Sequence, residues 1–518
     1  MSGFPWLSLI LWMPLLAGLA LIARGRETGP SRSSTAWWLS LASSLLTLIL
    51  CMKAPMESGP SLWKESIEWI PSLGVAYELG MDGMGCIMLA LTALIMPVSI
   101  AASQRAGYNH EGFGGCLLMT QGTLVGVFTA QNFFAWFFFY EIALVPAYFL
   151  VRLWGGPGRE KVSLRFFIYS MLGSIALLVG YLGLASAVGS YNFTALAEAS
   201  ATQALPEAIG QRLAWFDLPV KWLITLLFAL TFGGLAVKVG MVPVHGWLPD
   251  TYEKAPTPVT MVLTGLMSKM GLVGMVKMVI PLLPYVPSSV LQATLAIAVF
   301  GLVYAALAAM GQTSFKRLLA YSSINHLGYC LIALLVLGQP SMGEPSMQTA
   351  KTFALGGLLL QMFSHGLIAA GLFYLTHLGE SRLQKTLRVD GPGGLRAIMP
   401  RFAGWMGLAV FASIGLPGLS GFIGEFLIFR GVFALSPWVA IGSLPALLIT
   451  AIFLLRFLQH VFHGKSDPES EQFSDLSGSE MALMAPLFIL IVLLGWFPHL
   501  IMERINPTII LTIERMIF

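Results

Sequence analysis

Six proton-exchanging side chains stand inside long apolar stretches of this 518-residue chain. They are two glutamates, two lysines and two histidines, namely Glu141, Lys238, Lys269, His326, His365 and Glu425. A charge at the centre of a bilayer costs at least about 2.5–3.5 kcal/mol, so such residues are expected to face protein or enclosed water and to have a function. Their positions on consecutive or near-consecutive apolar segments predict a proton relay along the plane of a membrane.

These residue types suit proton transfer because their surroundings control their protonation. Burial disfavours the charged form of a carboxylic acid or an amine, whereas a nearby opposite charge favours it. A buried pair such as Glu141 and Lys238 can therefore change its proton occupancy when one partner moves. Arginine stays protonated and cannot do this. The arginines of this chain fall in the predicted loops, as a relay requires.

Structural interpretations stand beside the relay. Glu141 and Lys238 could form a static ion pair that fixes helix packing. His326 could be hydrogen-bonded to one of the two serines that precede it, and His365 to a nearby serine or glutamine on its own helix. For either histidine alone, packing and proton transfer are equally good interpretations.

Two further polar residues are better explained by structure than by proton transfer. Lys277 lies towards the end of its apolar segment, where a lysine amine reaches for the membrane surface while its stem stays in the apolar region. His245 begins the sequence HGWLPD, and we interpret it as a loop or helix-end residue that holds the segment that follows.

Composition identifies the bilayer as the solvent of this chain. Hydrophobic residues make up 56% and charged residues 10%, whereas about a quarter of an ordinary soluble protein is charged. The net charge of +4 is too small and scattered to indicate nucleic-acid binding. The four cysteines lack CxxC spacing, so no zinc site, iron–sulfur cluster or disulfide framework is indicated. No GxGxxG fingerprint or Walker loop occurs either.

The apolar runs predict an all-α, polytopic membrane protein with about fourteen spanning helices, at about 20 residues per crossing. Continuous runs such as Trp136–Phe139 lack the alternation of a membrane strand. The polar stretches between the runs are short enough to be connectors, so residues 1–518 form one membrane-embedded domain. The predicted helices are centred near residues 12, 44, 92, 122, 142, 176, 230, 269, 300, 328, 364, 418, 448 and 491.

The distribution of cations gives this topology an orientation. With the N-terminus outside and fourteen spans, about 18 of the 29 lysines and arginines fall in inside loops and about 8 outside, as the positive-inside rule requires. The three that remain are Lys238, Lys269 and Lys277. The count therefore predicts that both termini lie on the outer side.

Helix breakers accompany two of the six residues and suggest an internal repeat. Pro243 follows Lys238, and the sequence GLPGLSG at 415–421 precedes Glu425. In transporters, matching interrupted helices mark the ion site of inverted repeats. Five-helix units over spans 4–8 and 9–13 place both breaks in the fourth helix of a unit, and the odd helix number makes the units inverted. The predicted repeats cover about 113–280 and 288–462, with flanking helices in 1–103 and 480–518.

Several segments resemble the antiporter-like, proton-pumping subunits of respiratory complex I, an NADH:quinone oxidoreductase, and the resemblance is closest to the subunit M branch. They cover almost the whole chain and include FFFYEIALVP at 137–146, AVK at 236–238, HGWLPD at 245–250, FKRLLAYSS at 315–323, NHLG at 325–328, LPG at 416–418 and GEF at 424–426. The resemblance implies fourteen core helices, two inverted repeats with broken helices 7 and 12, and both termini outside.

The same resemblance implies a role for each relay residue. Glu141 would modulate Lys238 on the broken seventh helix, Lys269 would be the central relay lysine, the two histidines would continue the relay, and Glu425 would be its terminal acid. Quinone reduction elsewhere would drive proton pumping without a redox site, cofactor-binding residue or metal ligand in this chain. NADH, FMN, iron–sulfur clusters and quinone are expected in partner subunits, neighbouring antiporter-like subunits are the expected partners, and a bacterial plasma membrane is the expected location.

Three positions depart from the family pattern. Asn132 stands where an aspartate is common, Tyr252 where a histidine often follows the Pro-Asp pair, and Ser314 where an aspartate commonly precedes Lys-Arg. None of them removes a proposed relay residue. Two alternative functions share the same framework: a Na⁺/H⁺ antiporter subunit, and a membrane subunit of a related hydrogenase or photosynthetic complex.

Overall fold

The computed structural model of the protein describes residues 4–25, 35–54, 62–214, 217–340, 344–391, 393–464 and 473–516. Most of these residues are helical, and the helices follow one another in the order α1 (Trp6–Arg24), α2 (Thr35–Lys53), α3 (Gly83–Arg105), α4 (Glu111–Thr129), α5 (Phe133–Ile142), α6 (Leu144–Trp154), α7 (Arg159–Val188), α8 (Phe193–Ala201), α9 (Leu205–Arg212), α10 (Val220–Val239), α11 (Leu248–Lys254), α12 (Thr257–Val262), α13 (Ser268–Gly274), α14 (Ser288–Met310), α15 (Phe315–Leu335), α16 (Pro345–Leu383), α17 (Leu395–Ile398), α18 (Pro400–Ile414), α19 (Ser420–Leu435), α20 (Pro437–Phe462), α21 (Gly478–Trp496) and α22 (His499–Glu514).

The predicted all-α membrane fold is confirmed. Thirteen helical stretches within the described residues are long and apolar enough to cross a membrane. Each contains one predicted centre, and some join two or more helices, such as α5 with α6. The remaining centre, near residue 418, falls between α18 and α19, which are individually too short to be counted as spans. A fourteenth crossing, made of these two helices in two halves, stays a prediction.

Five elements outside these spans, two strands and three helices, were not predicted. A two-stranded antiparallel hairpin, β1 (Leu62–Ile70) and β2 (Val75–Met81), lies between α2 and α3. The short helices α8 and α9 lie between α7 and α10, and the amphipathic helix α22 follows α21. All lie in the more polar stretches, predicted as connectors or flanks, where the sequence has no long apolar run.

The chain is interrupted directly after Lys238. Helix α10 ends at Val239, Gly240 takes a left-handed conformation (φ 84°), and α11 begins only at Leu248. The carbonyl of Val237, in the last turn of α10, accepts a hydrogen bond of 2.9 Å from the indole Nε1 of Trp247 as well as one from Gly240 N. Such internal partners are what allow irregular backbone inside a membrane protein.

A second interruption precedes Glu425. Helix α18 ends at Ile414, and Gly415 and Gly418 both take left-handed conformations before α19 begins at Ser420. Glycine is the residue that adopts this conformation at no steric cost. The break is thus encoded locally by the sequence GLPGLSG.

The helix that carries Lys269 is irregular as well. Two π-helical segments, Leu263–Met267 and Met275–Val279, flank α13, and the span ends in the 3₁₀ turn Ile280–Tyr285. π-Helical insertions are rare and occur frequently at functional sites. This span and the spans of α15 and α16 are almost completely buried in the protein, so their polar side chains must find partners inside it.

Candidate proton-relay site

Lys269 occupies the centre of the site. Its side chain is completely buried. The Nζ atom donates to the Thr264 carbonyl at 2.6 Å and lies 2.8 Å from Nδ1 of His365. Thr264 belongs to the π-helical segment just before α13, so the irregular turn supplies a carbonyl to the amine. A buried ammonium needs such acceptors because no bulk water reaches it.

His365 lies beside a second histidine. The ring centroids of His365 on α16 and His326 on α15 are 5.6 Å apart. A cavity of about 10 Å³ is lined by both rings and by Ser322, Ser323 and Ser413, among other residues. That volume is at the lower limit of the space that one water molecule requires, and the histidine rings and serines are the polar groups of a lining that is otherwise apolar.

His326 contacts Glu425. Its Nδ1 lies 3.1 Å from Glu425 Oε1, and its Nε2 lies 3.2 Å from the Ser413 hydroxyl. Gln361 Nε2 also donates to the same glutamate oxygen, at 3.3 Å. The residues come from α15, α16, α18 and α19, so the second interrupted helix delivers both Ser413 and Glu425 to the histidine.

Four of the six predicted residues therefore form one buried chain, from Lys269 through His365 and His326 to Glu425. The partners differ from the packing interpretation of the histidines, because His326 contacts Glu425 and Ser413, and His365 contacts Lys269. These pairs are separated by 87 to 99 residues in sequence, so spacing along the chain gives no signal for them.

The other two residues stand apart from this chain. Lys238 is buried, and its Nζ lies 5.0 Å from the centre of the Tyr140 ring. Both Glu141 and Lys238 belong to the described residues, yet no salt bridge within 4.0 Å joins them. Gly271, two residues after Lys269, packs on the Lys238 side chain, with 3.4 Å between the Lys238 Cβ and the position a Cβ would take at Gly271.

Asn132 has a role that sequence comparison with the family pattern missed. Its side-chain oxygen caps α5 by accepting a hydrogen bond of 2.9 Å from Ala135 N, and its amide nitrogen donates to the Ala76 carbonyl of β2. An aspartate could serve as the cap, but only an amide can also donate. The substitution thus joins the start of the Glu141 helix to the β-hairpin.

The structure gives packing partners for one of the other two departures from the family pattern but not for the second. Tyr252 is buried in α11 and packs edge-on against Phe373 of α16, with ring centroids 6.0 Å apart. Ser314 precedes α15, and its hydroxyl makes no capping hydrogen bond. Nothing in the structure explains the choice of serine at this position.

Lys277 and His245 lie outside the four-residue chain. Lys277 Nζ donates to the Ala130 carbonyl at 2.8 Å and lies over the Phe193 ring at 5.4 Å. It lines a cavity of about 800 Å³ that α22 covers in part. His245 lies in the interruption between α10 and α11, where its ring packs edge-on against Tyr304 at 5.4 Å.

Metal binding finds no support in the part of the chain that the structure describes. No group of three or more histidine, cysteine, aspartate or glutamate side chains is placed to hold a metal ion there. The four cysteines are buried and free. Cys51 and Cys86 are neighbours, with Cys51 Sγ 3.5 Å from the Cys86 carbonyl, although 35 residues separate them in sequence.

Comparison with known proteins identifies the class. The family described as "NADH:quinone oxidoreductase/Mrp antiporter, TM" matches residues 130–450. The chain belongs to this family of membrane subunits.

Full-length relatives refine this assignment. The chain is 31% identical to NADH-quinone oxidoreductase subunit M of Rhodobacter capsulatus, over 97% of this chain and 95% of that protein. It is 33% identical to NAD(P)H-quinone oxidoreductase chain 4 1 of Synechococcus sp. strain JA-3-3Ab, over 98% and 92%. The resemblance inferred from the sequence motifs is thereby confirmed.

Solved structures share the fold over nearly the whole chain. A chain of respiratory complex I from Thermus thermophilus matches with a TM-score of 0.82 and 25% identity, covering 98% of this chain and 99% of that one. A chain of the Mrp complex from Dietzia sp. matches with a TM-score of 0.80 at 20% identity, covering 99% and 98%. At that lower identity, the likeness to the Mrp chain concerns the fold alone.

Proposed function

We propose that this chain is a proton-translocating membrane subunit of an NADH:quinone oxidoreductase, and that its buried side chains couple quinone reduction elsewhere in the complex to proton pumping. The observation that carries the proposal is the four-residue chain from Lys269 to Glu425, which lies inside a membrane-spanning bundle. The relatives that match over the full length are quinone oxidoreductase subunits, and their names support this reading over the alternatives.

Proton transfer within the chain requires three steps. A protonated Lys269 gives its proton to His365 Nδ1 across 2.8 Å. His365 and His326 exchange a proton through a water molecule in the cavity between them, because the rings share no hydrogen bond. His326 then passes a proton to Glu425 across 3.1 Å. Both short steps are within the usual reach for direct proton transfer between side chains.

Lys238 and Glu141 would control the entry to this chain. We propose that a change in the charge or position of Glu141 alters the proton occupancy of Lys238, which in turn acts on Lys269. The absence of a direct contact between Glu141 and Lys238 fits such a switch, since a pair already joined at short range has less freedom to change. Lys238 of α10 lies against Gly271, and Gly271 is two residues from Lys269 on α13. Lys238 is therefore well placed to influence Lys269.

The wider arrangement is part of the same proposal. Repeats over about 113–280 and 288–462 would be inverted relative to each other, each with its interrupted helix, and the two flanks would cover 1–103 and 480–518. Both termini would lie on the outer side of a bacterial plasma membrane. NADH, FMN, iron–sulfur clusters and quinone would bind partner subunits, and this chain would have no redox site and would contact neighbouring antiporter-like subunits.

The first alternative is a Na⁺/H⁺ antiporter subunit, which the shared fold with the Mrp complex favours. A second is a membrane subunit of a related hydrogenase or photosynthetic complex. The fold is also similar to a chain of an archaeal membrane-bound sulfane sulfur reductase, with a TM-score of 0.77 at 22% identity. Co-purification of the native chain, followed by identification of its partner subunits, separates these possibilities.

The experiment that tests the proposal uses Glu141→Gln and Lys238→Ala in the assembled complex, reconstituted in liposomes. Quinone reduction and proton uptake are measured together. We expect both variants to assemble and to lose coupled proton pumping, because each removes one partner of the switch. A variant that pumps as well as the parent would refute the proposed role of that residue.

A further inference from the structure

We propose that Asp250 is a positioning residue for the interruption that holds Lys238: its carboxylate forms a clamp with Arg165 and Arg317, and α11 is held in place by that clamp. Asp250 Oδ2 lies 2.5 Å from Arg165 Nη1, and Oδ1 lies 2.7 Å from Arg317 Nη1. Each oxygen thus has its own arginine. We call these three residues the two-arginine clamp.

The clamp joins three separate parts of the bundle. Arg165 is on α7, within the predicted first repeat, and Arg317 is on α15, within the predicted second repeat. Asp250 is on α11, the short helix that follows the interruption. Glu253, one turn further along α11, lies 3.2 Å from the same Arg317 nitrogen. The position of α11 therefore depends on helices from both halves of the molecule.

The energetic argument rests on the network rather than on either ion pair. The clamp side chains are about one-quarter to two-fifths exposed, and an isolated ion pair at such exposure contributes little to stability because solvent screens it. Removal of the Asp250 charge has a larger effect, because two guanidinium groups drawn to one carboxylate would then face each other without it. Within the seven residues of α11, Asp250 is the residue whose carboxylate contacts charged groups of both α7 and α15.

A second contact carries the position of α11 to the neighbourhood of Lys238. Trp247 immediately precedes α11, and its indole donates to the carbonyl of Val237, the residue before Lys238. The Trp247 ring also packs on Phe166, the neighbour of Arg165, with centroids 5.1 Å apart. The indole bond thus connects the residue before α11 to the end of α10, and the clamp connects α11 itself to α7 and α15.

At the other end of α11, the Lys254 carbonyl accepts a hydrogen bond of 2.8 Å from Gly156 N, in the turn between α6 and α7. Loss of the Asp250 carboxylate leaves α11 tied to the first repeat by this bond and by Trp247, and leaves Glu253 as its one remaining charged contact to Arg317 of α15, at 3.2 Å. The expected consequence is a wider opening of residues 240–247 rather than unfolding of the bundle.

The test places a reporter thiol in the interruption. Val244, half-buried in this segment, is changed to cysteine, and its rate of reaction with N-ethylmaleimide is measured in the assembled complex in native membranes. The four natural cysteines of the chain are buried and give a slow background. Asp250→Asn should raise the labelling rate of Val244→Cys by about threefold or more, because the interrupted segment opens more often.

Two matched variants make the result specific. Asp390→Asn removes the carboxylate of an exposed ion pair with Arg388, and both residues of this pair lie in a single loop. The Arg388 guanidinium holds the pKa of Asp390 below its usual value. It should leave the labelling rate unchanged. Asp250→Glu keeps the charge and should restore a rate close to that of the parent. Equal rates for Asp250→Asn and Asp390→Asn, or failure of Asp250→Glu to restore the parent rate, would overturn the clamp.

The clamp bears on transport only through the proposed function, so proton pumping is measured on the same variants. Faster labelling together with reduced pumping supports both proposals. Faster labelling with normal pumping keeps the clamp and counts against the role of Lys238. Reduced pumping with unchanged labelling counts against the clamp and leaves the proposed function intact.

Discussion

At the scale of single residues, the site is defined by which buried polar atoms lie within hydrogen-bond distance of each other. Lys269 and Glu425 are at the ends of the chain, and the two histidines between them each contact one end. Glu425 accepts from Gln361 as well as facing His326, so its oxygen Oε1 is held by two nitrogen-bearing groups. An acid in this position can receive a proton from the ring and hold it without losing its neighbours.

Glu425→Gln tests that description. The amide has almost the same size but cannot take up the relayed proton, so we expect the complex to assemble, to reduce quinone and to lose coupled pumping. Glu198→Gln is the control, because Glu198 is exposed on α8 and belongs to no part of the relay. The measurement is the proton-to-electron ratio in liposomes. Equal ratios for the two variants would exclude Glu425 from the path.

Asn132→Ala tests the link between the β-hairpin and the helix of Glu141. Loss of an N-cap costs typically about 1 kcal/mol, and the Ala76 carbonyl also loses its donor. We expect thermal inactivation of the purified complex at a lower temperature. Asn132→Asp keeps the cap but not the donor, so it should fall between Asn132→Ala and the parent. An unchanged inactivation temperature for the alanine variant would contradict the role assigned to Asn132.

At the scale of elements, the interrupted and irregular helices position the residues of the proposed relay. α10 ends one residue after Lys238, a π-helical segment supplies the carbonyl that Lys269 binds, and α19 starts shortly before Glu425. Regular helices satisfy their own carbonyls, so they offer few acceptors to a buried amine. The irregular segments are therefore the source of polar backbone in the middle of the bundle.

Close packing between α16 and α19 keeps Glu425 against its partners. Gly357 of α16 faces Gly424 and Ile428 of α19, and a Cβ at Gly357 would lie 2.5 Å from Ile428 N. Small residues of this kind let membrane helices approach closely. We expect Gly357→Ala to destabilise the assembled complex, at a cost of about 1–3 kcal/mol for overpacking. Gly404→Ala is the control, since a Cβ there meets nothing within 4 Å. Equal thermal stability of the two variants would show that the approach of α16 and α19 tolerates a larger residue.

The sequence predicts much of this architecture but little of its contacts. Hydrophobic runs identified the spans, and helix breakers located the interruptions near Lys238 and Glu425. The same reasoning missed the hydrogen bond that Asn132 donates, the β-hairpin and α22, since none of them lies within a long apolar run. Nor did it show that Glu141 and Lys238 lack a short contact while Lys269 and His365 share one. Those distances depend on how helices 96 residues apart in sequence pack together.

At the scale of the whole molecule, the membrane bundle offers a proton path more readily than a sodium site. Sodium is a hard cation that prefers several oxygen ligands, as calcium and magnesium do. Of the four side chains in the proposed relay, Lys269, His365 and His326 offer only nitrogen atoms, and the Oε1 of Glu425 already faces the nitrogens of His326 and Gln361. This composition favours the oxidoreductase subunit over the antiporter.

Pumping in the absence of sodium tests this preference. We expect the proton-to-electron ratio of the reconstituted complex to be the same in sodium-free potassium buffer as in sodium buffer, because no step of the relay needs a metal cation. The control is a sodium titration at constant ionic strength, which separates a specific requirement from screening. A ratio that falls when sodium is withdrawn and recovers on its return would favour the antiporter alternative.

The continuity of the chain from Lys269 to Glu425 is tested most directly by removing its middle. In His326→Ala the ring that joins His365 to Glu425 is lost, and the matched control is His460→Ala, an exposed histidine at the end of α20. The proton-to-electron ratio is measured in liposomes for the two variants and the parent complex. We predict that pumping through this subunit is lost in His326→Ala and retained in His460→Ala, with quinone reduction intact in both. A His326→Ala complex that assembles and pumps at the parent ratio would contradict the relay.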